Sequence, residues 1–362
     1  MKHVDEYRDP AMAKELAAQI RRTSKTPVRF MELCGTHTMA LARHGLHALL
    51  PPTVSMVSGP GCPVCVTATE EIDRAVKLAQ TPGVVVATFG DLVRVPGSHA
   101  SLARERASGA AVEVVYSPLD AVALAERRPE EQVVFLGIGF ETTAPTVAAA
   151  LLMAEQKGLA NFSVLSAHKL LPPALAALLS GPDLGLSGFL CPGHVTTVIG
   201  TACYEPVARE HGLPCVVAGF EPADVLASIL MLVNQVEQGR SEVEIQYKRA
   251  VRPEGNPAAV ALMNRVFEPV DAPWRGLGPI PASGLALRAE YGHLDAAKRF
   301  DASVPPAKDH PGCRCGDVLR GLITPPECKL FAGVCNPSAP VGPCMVSAEG
   351  TCAAWYRYRR ED

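Results

Sequence analysis

No run of about 18 apolar residues occurs in this 362-residue chain, so no segment reads as a membrane-spanning helix. Residues Met1 to Asp9 are polar and lack the apolar stretch of a secretory signal, and the compartment expected is the cytoplasm. Basic residues are not in excess. With 34 Lys and Arg against 37 Asp and Glu, and 20% charged residues, there is no basic stripe for nucleic acid or an anionic membrane. Also missing are a Walker phosphate loop, Gly-x-Gly-x-x-Gly, a Gly-x-Ser-x-Gly nucleophile elbow and the Cys-x3-Cys-x2-Cys of radical enzymes, so none of those chemistries has its signature here.

Cysteine, by contrast, is abundant. Twelve cysteines in a reducing compartment argue for metal or redox chemistry rather than a disulfide framework. Their spacing is uneven. Ser58-Gly-Pro-Gly-Cys-Pro-Val-Cys65 sets Cys62 and Cys65 two residues apart in a Gly/Pro turn after an apolar run, an arrangement for a soft metal or a redox dithiol. Six more crowd the tail, as Cys313, Cys315, Cys328, Cys335, Cys344 and Cys352, interleaved with prolines and matching no zinc ribbon. Thiolate ligation of a [4Fe-4S] cluster suits such irregular spacing. The evenly laddered Cys328, Cys335, Cys344 and Cys352 are the first choice of ligands, with Cys313 and Cys315 as a redox pair or alternative ligands.

The length exceeds the ~250 to 300 residues beyond which single cores stop growing, so two or three domains are expected. Strand-like runs start at Val28, Thr53, Val84 and Val112, separated by helical stretches at Thr38 to Leu50, Ala68 to Gln80 and Ala100 to Ala107. That alternation implies crossover units and a parallel sheet, whose ligands gather beyond the carboxyl ends of the strands. A second round runs from Gln132 through strands near Ser163, Gly188 and Cys215 to a helix at Ala223 to Glu237. The fold expected is therefore two similar parallel-sheet α/β domains facing a cleft, at 1–129 and 130–240, plus a small C-terminal iron-sulfur domain at 241–362. Ser241 to Tyr247 offers one further strand, and Glu254 to Arg288, rich in Pro and Gly, reads as short helical pieces.

Several polar breaks fall at strand ends. Cys34-Gly-Thr-His37 places a thiol and an imidazole where Cys62 and Cys65 would complete a three-thiol donor set for iron or copper. A lone strand-end Cys is as often an ordinary buried residue. In the second unit Glu141, Thr142 and Thr143 of Gly139-Phe-Glu-Thr-Thr-Ala-Pro145, and His194 of Cys191-Pro-Gly-His194, could line the same cleft from the other side. Cys203 and Cys215 have no partner at ligand spacing and read as core residues.

Taken together, Cys34-Gly-Thr-His37, Gly59-Pro-Gly-Cys-Pro-Val-Cys65, Gly139 to Pro145, Cys191-Pro-Gly-His194 and the tail Gly342-Pro-Cys-Met-Val-Ser-Ala-Glu-Gly-Thr-Cys352 resemble the HypD family of hydrogenase maturation factors, over residues 28–358. The resemblance implies a scaffold on which the Fe(CN)2CO unit of nickel-iron hydrogenases is assembled, working with a small HypC-type chaperone and receiving cyanide by way of a HypE-type protein. It also implies that Cys34, Cys62 and Cys65 handle iron and redox chemistry beside His37. Glu141, Thr142, Thr143 and His194 would line the interdomain cleft, and the tail cysteines would carry a [4Fe-4S] cluster with a neighbouring dithiol, as in ferredoxin-thioredoxin reductase. A thiol-disulfide oxidoreductase acting on a protein substrate is the competing reading of the same residues.

Overall fold

The computed structural model describes residues 5–307 and 309–359; residues 1–4, which begin the polar N-terminal segment, 308 and 360–362 lie outside the described residues. Eleven strands are described: β1 (Val28–Glu32), β2 (Val54–Ser58), β3 (Val84–Thr88), β4 (Val112–Val114), β5 (Gln132–Gly137), β6 (Phe162–Ser166), β7 (Gly188–Pro192), β8 (Cys215–Ala218), β9 (Val243–Ile245), β10 (Phe267–Trp274) and β11 (Gly278–Leu287). They form a five-stranded parallel sheet ordered β2-β1-β7-β8-β9, a four-stranded parallel sheet ordered β4-β3-β5-β6, and an antiparallel β10-β11 hairpin. Near-continuous apolar runs such as Val84–Thr88 and Cys215–Ala218 are buried throughout. That is what central parallel strands require when helices cover both faces.

The α/β class with two parallel-sheet units is as expected, but the sheets are not consecutive halves of the chain. β1 and β2 pair into one sheet with β7, β8 and β9, while β3 to β6 form the other. The four-stranded unit is thus inserted into the five-stranded one, and the expected boundary at 129/130 cuts through the inserted sheet, where β3 pairs with both β4 and β5. The boundary at 240/241 likewise detaches β9, whose Val243 pairs with Cys215 of β8. The expected helix from Thr38 to Leu50 is two, Gly35–Arg43 and Leu46–Leu49, broken where Gly45 turns to φ 61. The stretch expected to hold only helical pieces has one helix, Pro257–Val266, and then the hairpin.

Each sheet is buried on both faces. Val85, Ala87, Val133 and Phe135 pack on one side of the four-stranded sheet, and Val84, Val86, Val134 and Leu136 on the other. On the five-stranded sheet Phe30, Leu190 and Val216 meet the helix Pro222–Glu237. Its opposite face, Met31, Phe189, Cys191 and Val217, belongs to one core that also takes in Cys62, Cys65, Phe140, Trp274, Cys315 and Cys344. The tail has little regular structure of its own and lies against this core. Its last helix, Thr351–Tyr358, packs on the helix Gly35–Arg43. Among the described residues no helix is long and apolar enough to cross a membrane.

Candidate functional site

Cys34 lies two residues beyond β1 and is the N-cap of the helix Gly35–Arg43, so it stands at the carboxyl edge of the five-stranded sheet. The Gly59-Pro-Gly-Cys62 loop leaves β2 next to it. The Gly59 N–H donates to Glu32 O at 2.8 Å, and the Gly35 N–H to Gly61 O at 3.1 Å. Gly61 must be glycine for this approach, because a Cβ there would lie 2.2 Å from the Cys34 nitrogen. The loop then enters the short helix Pro63–Val66, and Cys62 and Cys65 are joined as a disulfide with Cα atoms 5.2 Å apart. The three thiols expected to act together therefore share one loop junction. Among the described residues no group of three or more His, Cys, Asp or Glu side chains is arranged to hold a single metal ion. With Cys62 and Cys65 oxidised, the three-thiol donor set exists only after reduction.

The Cys34 thiol is pushed up to about 12, chiefly by burial and then by the Glu349 carboxylate. Beneath it Glu32 is buried, accepting from the Cys34 N–H at 3.1 Å and from the Thr38 hydroxyl, and burial raises its carboxyl to about 8. His37 is fully buried; its Nε2–H donates to Gly219 O at 3.0 Å while Nδ1 has no partner, and burial drops it to about 4, so it is a neutral imidazole. Its ring stacks on Phe220 at 4.8 Å, and His194 stacks on the same Phe220 at 3.8 Å. The structure thus unites His37 and His194 at the ends of β7 and β8.

Glu141 is placed otherwise. Its Oε1 accepts from the Leu171 N–H at 2.8 Å, its Oε2 is buried without a partner, and burial raises it to about 7. No hydrogen bond described joins it to Cys34, Cys62 or Cys65. Its charge contributes to raising the nearby Cys203 and Tyr204, after burial, the largest cause in each. Thr142 is exposed and Thr143 half-buried. Cys215 is a core residue as expected, and Cys203 is half-buried.

All six tail cysteines, Cys313, Cys315, Cys328, Cys335, Cys344 and Cys352, line one pocket with Leu330, Phe331 and Met345. Within it Cys315 and Cys344 have their sulfurs 2.9 Å apart. Hydrogen bonds from Cys313 and Cys344, with Arg275 alongside, hold the Cys315 thiol low, while Cys344 is pushed up by Cys315, Cys352 and burial. Two Cys335 neighbours, the Val341 and Gly342 backbone N–H groups, favour its thiolate against the upward push of burial. Cys315 thus has both Cys313, its expected dithiol partner, and Cys344 beside it.

Sequence reasoning missed three contributors. Phe220 lies in Gly219-Phe-Glu221, which repeats the Gly139-Phe-Glu141 triplet at another strand end, and that repetition was the available signal. Arg275, at the hairpin tip, donates its backbone N–H to Val66 O (2.8 Å) and Nε to Thr67 O (3.0 Å) and pairs Nη1 with Asp309 (3.0 Å), leaving Nη2 buried and unpartnered, and its charge helps to lower Cys315. Glu349 accepts from the Thr36 hydroxyl at 2.6 Å. Glu349 lies within the Gly342 to Cys352 motif, but nothing local in the sequence links it to Cys34, or Arg275 to Cys315.

The chain matches known proteins over nearly its whole length. Residues 11–359 match the family model HypD, described as the hydrogenase formation hypA family. The chain is 50% identical to the hydrogenase maturation factor HypD of Rhizobium leguminosarum bv. viciae, covering 99% of this chain and 96% of that one. It is 48% identical to HypD of Azotobacter vinelandii, covering 100% and 98%, and 45% identical to HypD of Escherichia coli K12, covering 100% and 99%. With the match running nearly end to end, the chain belongs to the HypD family of hydrogenase maturation factors.

Proposed function

We propose that this chain is a cytoplasmic scaffold and redox centre on which the Fe(CN)2CO unit of nickel-iron hydrogenase is assembled, with the iron as substrate. A HypC-type small chaperone and a HypE-type cyanide donor are its proposed partners. The observation that carries the reading is the packing of the Cys62–Cys65 disulfide into the same core as Cys315 and Cys344. Contact between the helix Pro63–Val66 and both Cys315–Leu319 and Pro343–Met345 supports it further.

The donor set of the tail fits a cluster. Six soft sulfurs around one pocket exceed what a single ion needs, and thiolates are the usual ligands of iron-sulfur cubanes. The 2.9 Å approach of Cys315 to Cys344 favours these two as a dithiol, which leaves Cys313, Cys328, Cys335 and Cys352 to hold [4Fe-4S]. When bound, the cluster supplies single electrons at low potential. The chain's own sulfurs would then move a pair. As the Cys62–Cys65 bond breaks, a Cys315–Cys344 bond forms; the two electrons end on Cys62 and Cys65, which take up protons or remain thiolates. Reduced Cys62 and Cys65 join Cys34 as electron-rich donors for iron carrying cyanide and carbonyl ligands. Neutral His37 can accept a hydrogen bond at its free Nδ1. Burial of the site keeps water from the cargo.

The test is infrared spectroscopy on anaerobically purified protein with its small partner. Cyanide and carbonyl stretching bands are expected, and Cys62→Ala is expected to abolish them while keeping the brown absorbance. Absence of bands, together with catalytic reduction of a target protein disulfide, would replace this reading with that of a thiol-disulfide oxidoreductase, which the Cys62–Cys65 disulfide also suits.

A further inference from the structure

The Cys34 loop is gripped from two sides. On one side lies Gly61. On the other lies Glu349, so close that a Cβ on Gly35 would sit 2.6 Å from the Glu349 Cβ and 2.9 Å from its carbonyl oxygen. Glu349 also takes the Thr36 hydroxyl at 2.6 Å. Both residues next to Cys34 in the helix Gly35–Arg43 are therefore occupied by one tail residue.

The segment that supplies Glu349 is short and tightly closed. It runs between Cys344 and Cys352, and a Cβ on Gly350 would lie 2.2 Å from the Cys344 carbonyl oxygen. Ser347, 2% exposed, donates its hydroxyl to Asp91 Oδ2 at 3.0 Å and accepts from the Glu349 N–H at 3.2 Å. Asp91 follows β3. The segment thus touches the five-stranded unit through Thr36, the four-stranded unit through Asp91, and the tail pocket through the cysteines at its two ends. A change in how Cys344 or Cys352 is held cannot leave Glu349 where it is, because only seven residues separate those cysteines and Gly350 admits no side chain to take up slack.

We propose that Glu349 is a positioning residue that clamps the Cys34 loop and makes the exposure of the Cys34 thiol depend on the state of the tail thiols. The proposal rests on the reading of those thiols as a cluster and dithiol site. It assigns the tail a second role beside electron supply: with the tail ordered, Cys34 is held in place under Glu349; with the tail emptied, the clamp loosens and the thiol opens to reagents. An iron-handling thiol would then be presented in a fixed position only when the electron supply is in place.

The experiment is site-resolved alkylation of Cys34 by iodoacetamide under anaerobic conditions, read by peptide mass spectrometry on the full chain. It uses protein as isolated and protein stripped of iron with ferricyanide and chelator. In the wild type, stripping is expected to speed Cys34 labelling by about tenfold, the scale of losing one hydrogen bond to a charged group. Thr36→Val and Glu349→Ala are expected to label at the stripped rate before stripping, with brown absorbance unchanged, and to gain little more after it. Glu349→Gln, which keeps an acceptor for Thr36, should stay close to the wild type. Variants that label at the wild-type rate while loaded, or stripping that accelerates wild type and variants alike, would overturn the clamp. Protein that purifies without iron or brown absorbance would overturn the cluster reading alone; with no cluster to lose, the tail as isolated is then the state in which Glu349 holds Thr36, so slower Cys34 labelling in the wild type than in Thr36→Val and Glu349→Ala would still support the clamp and equal labelling of all three would overturn it.

Discussion

The sulfurs of Cys315 and Cys344 stand 2.9 Å apart, closer than either needs to be to fill a pocket wall. The pair is separated by 29 residues, so folding of the tail and not local spacing brings it together. If these two are the dithiol, Cys315→Ser and Cys344→Ser will retain iron and brown absorbance, whereas alanine at Cys313, Cys328, Cys335 or Cys352 will bleach the protein and loosen the tail. Iron content and visible spectra of the six variants decide it. Bleaching by Cys344→Ser with retention in Cys313→Ala would restore the even ladder as the ligand set.

The contrast shows where sequence suffices. Runs such as Val84–Thr88 and, after Gln132, Val133 to Gly137 announce buried parallel strands because every side chain is apolar or small, and the strand-end motifs follow from that placement. Which sheet a strand joins is a different matter. Nothing in Val54–Ser58 tells that the next strand will leave the sheet and that Gly188–Pro192 will return to it. The hairpin was hidden by Pro269, Pro273, Pro279 and Pro281, which normally argue against a strand. Both members of a two-stranded ribbon are edges, where proline is tolerated. Glu349 raises Cys34 from the far end of the chain and Arg275 lowers Cys315 from the hairpin tip, through a proximity that no spacing encodes.

Lys169 is buried at 1% exposure and paired with Glu71 at 2.5 Å. Glu71 also caps the helix Thr69–Ala79 by accepting from the Ala68 N–H, just after Cys65. Lys169→Met leaves a buried carboxylate alone and is expected to cost about 3 to 5 kcal/mol, while the double change Lys169→Met with Glu71→Leu should recover most of it. Urea unfolding of the wild type, Lys169→Met, Glu71→Leu and the double variant measures the coupling. A double-variant loss equal to the sum of the two single losses would mean the pair itself contributes nothing.

Burial raises the Glu141 carboxyl to about 7 against an ordinary 4.5, so between those values the folded state binds more protons than the unfolded one. Its contribution to stability is full below pH 4.5 and is lost as pH rises through 7. Glu141→Gln removes that loss, and the difference between variant and wild type should move in favour of the variant by about 3 kcal/mol between pH 4.5 and pH 8. His168, lowered to about 3 by burial, acts on the other limb: below its usual 6.5 the unfolded chain takes the proton first, and stability falls with acid. Urea midpoints across pH 4 to 8, a window set by those two groups, report both slopes.

Gly61 and Gly45 separate the two reasons a glycine can matter beside Cys34. Gly45 needs its freedom for φ 61 but has nothing within 4 Å of a Cβ, so Gly45→Ala should cost only about 1 kcal/mol of backbone strain. At Gly61 the obstacle is the backbone of Leu33 and Cys34, at 2.3 and 2.2 Å from a Cβ, which no rotamer change relieves. Gly61→Ala must push the two loops apart and weaken the Gly35 N–H bond to Gly61 O, at a cost of about 1 to 3 kcal/mol. Because the displaced atoms belong to Cys34, its thiol should alkylate faster in Gly61→Ala and at the wild-type rate in Gly45→Ala, even at matched stability. Equal labelling in the two variants would show that the Gly61 contact only supports the fold and does not position the thiol.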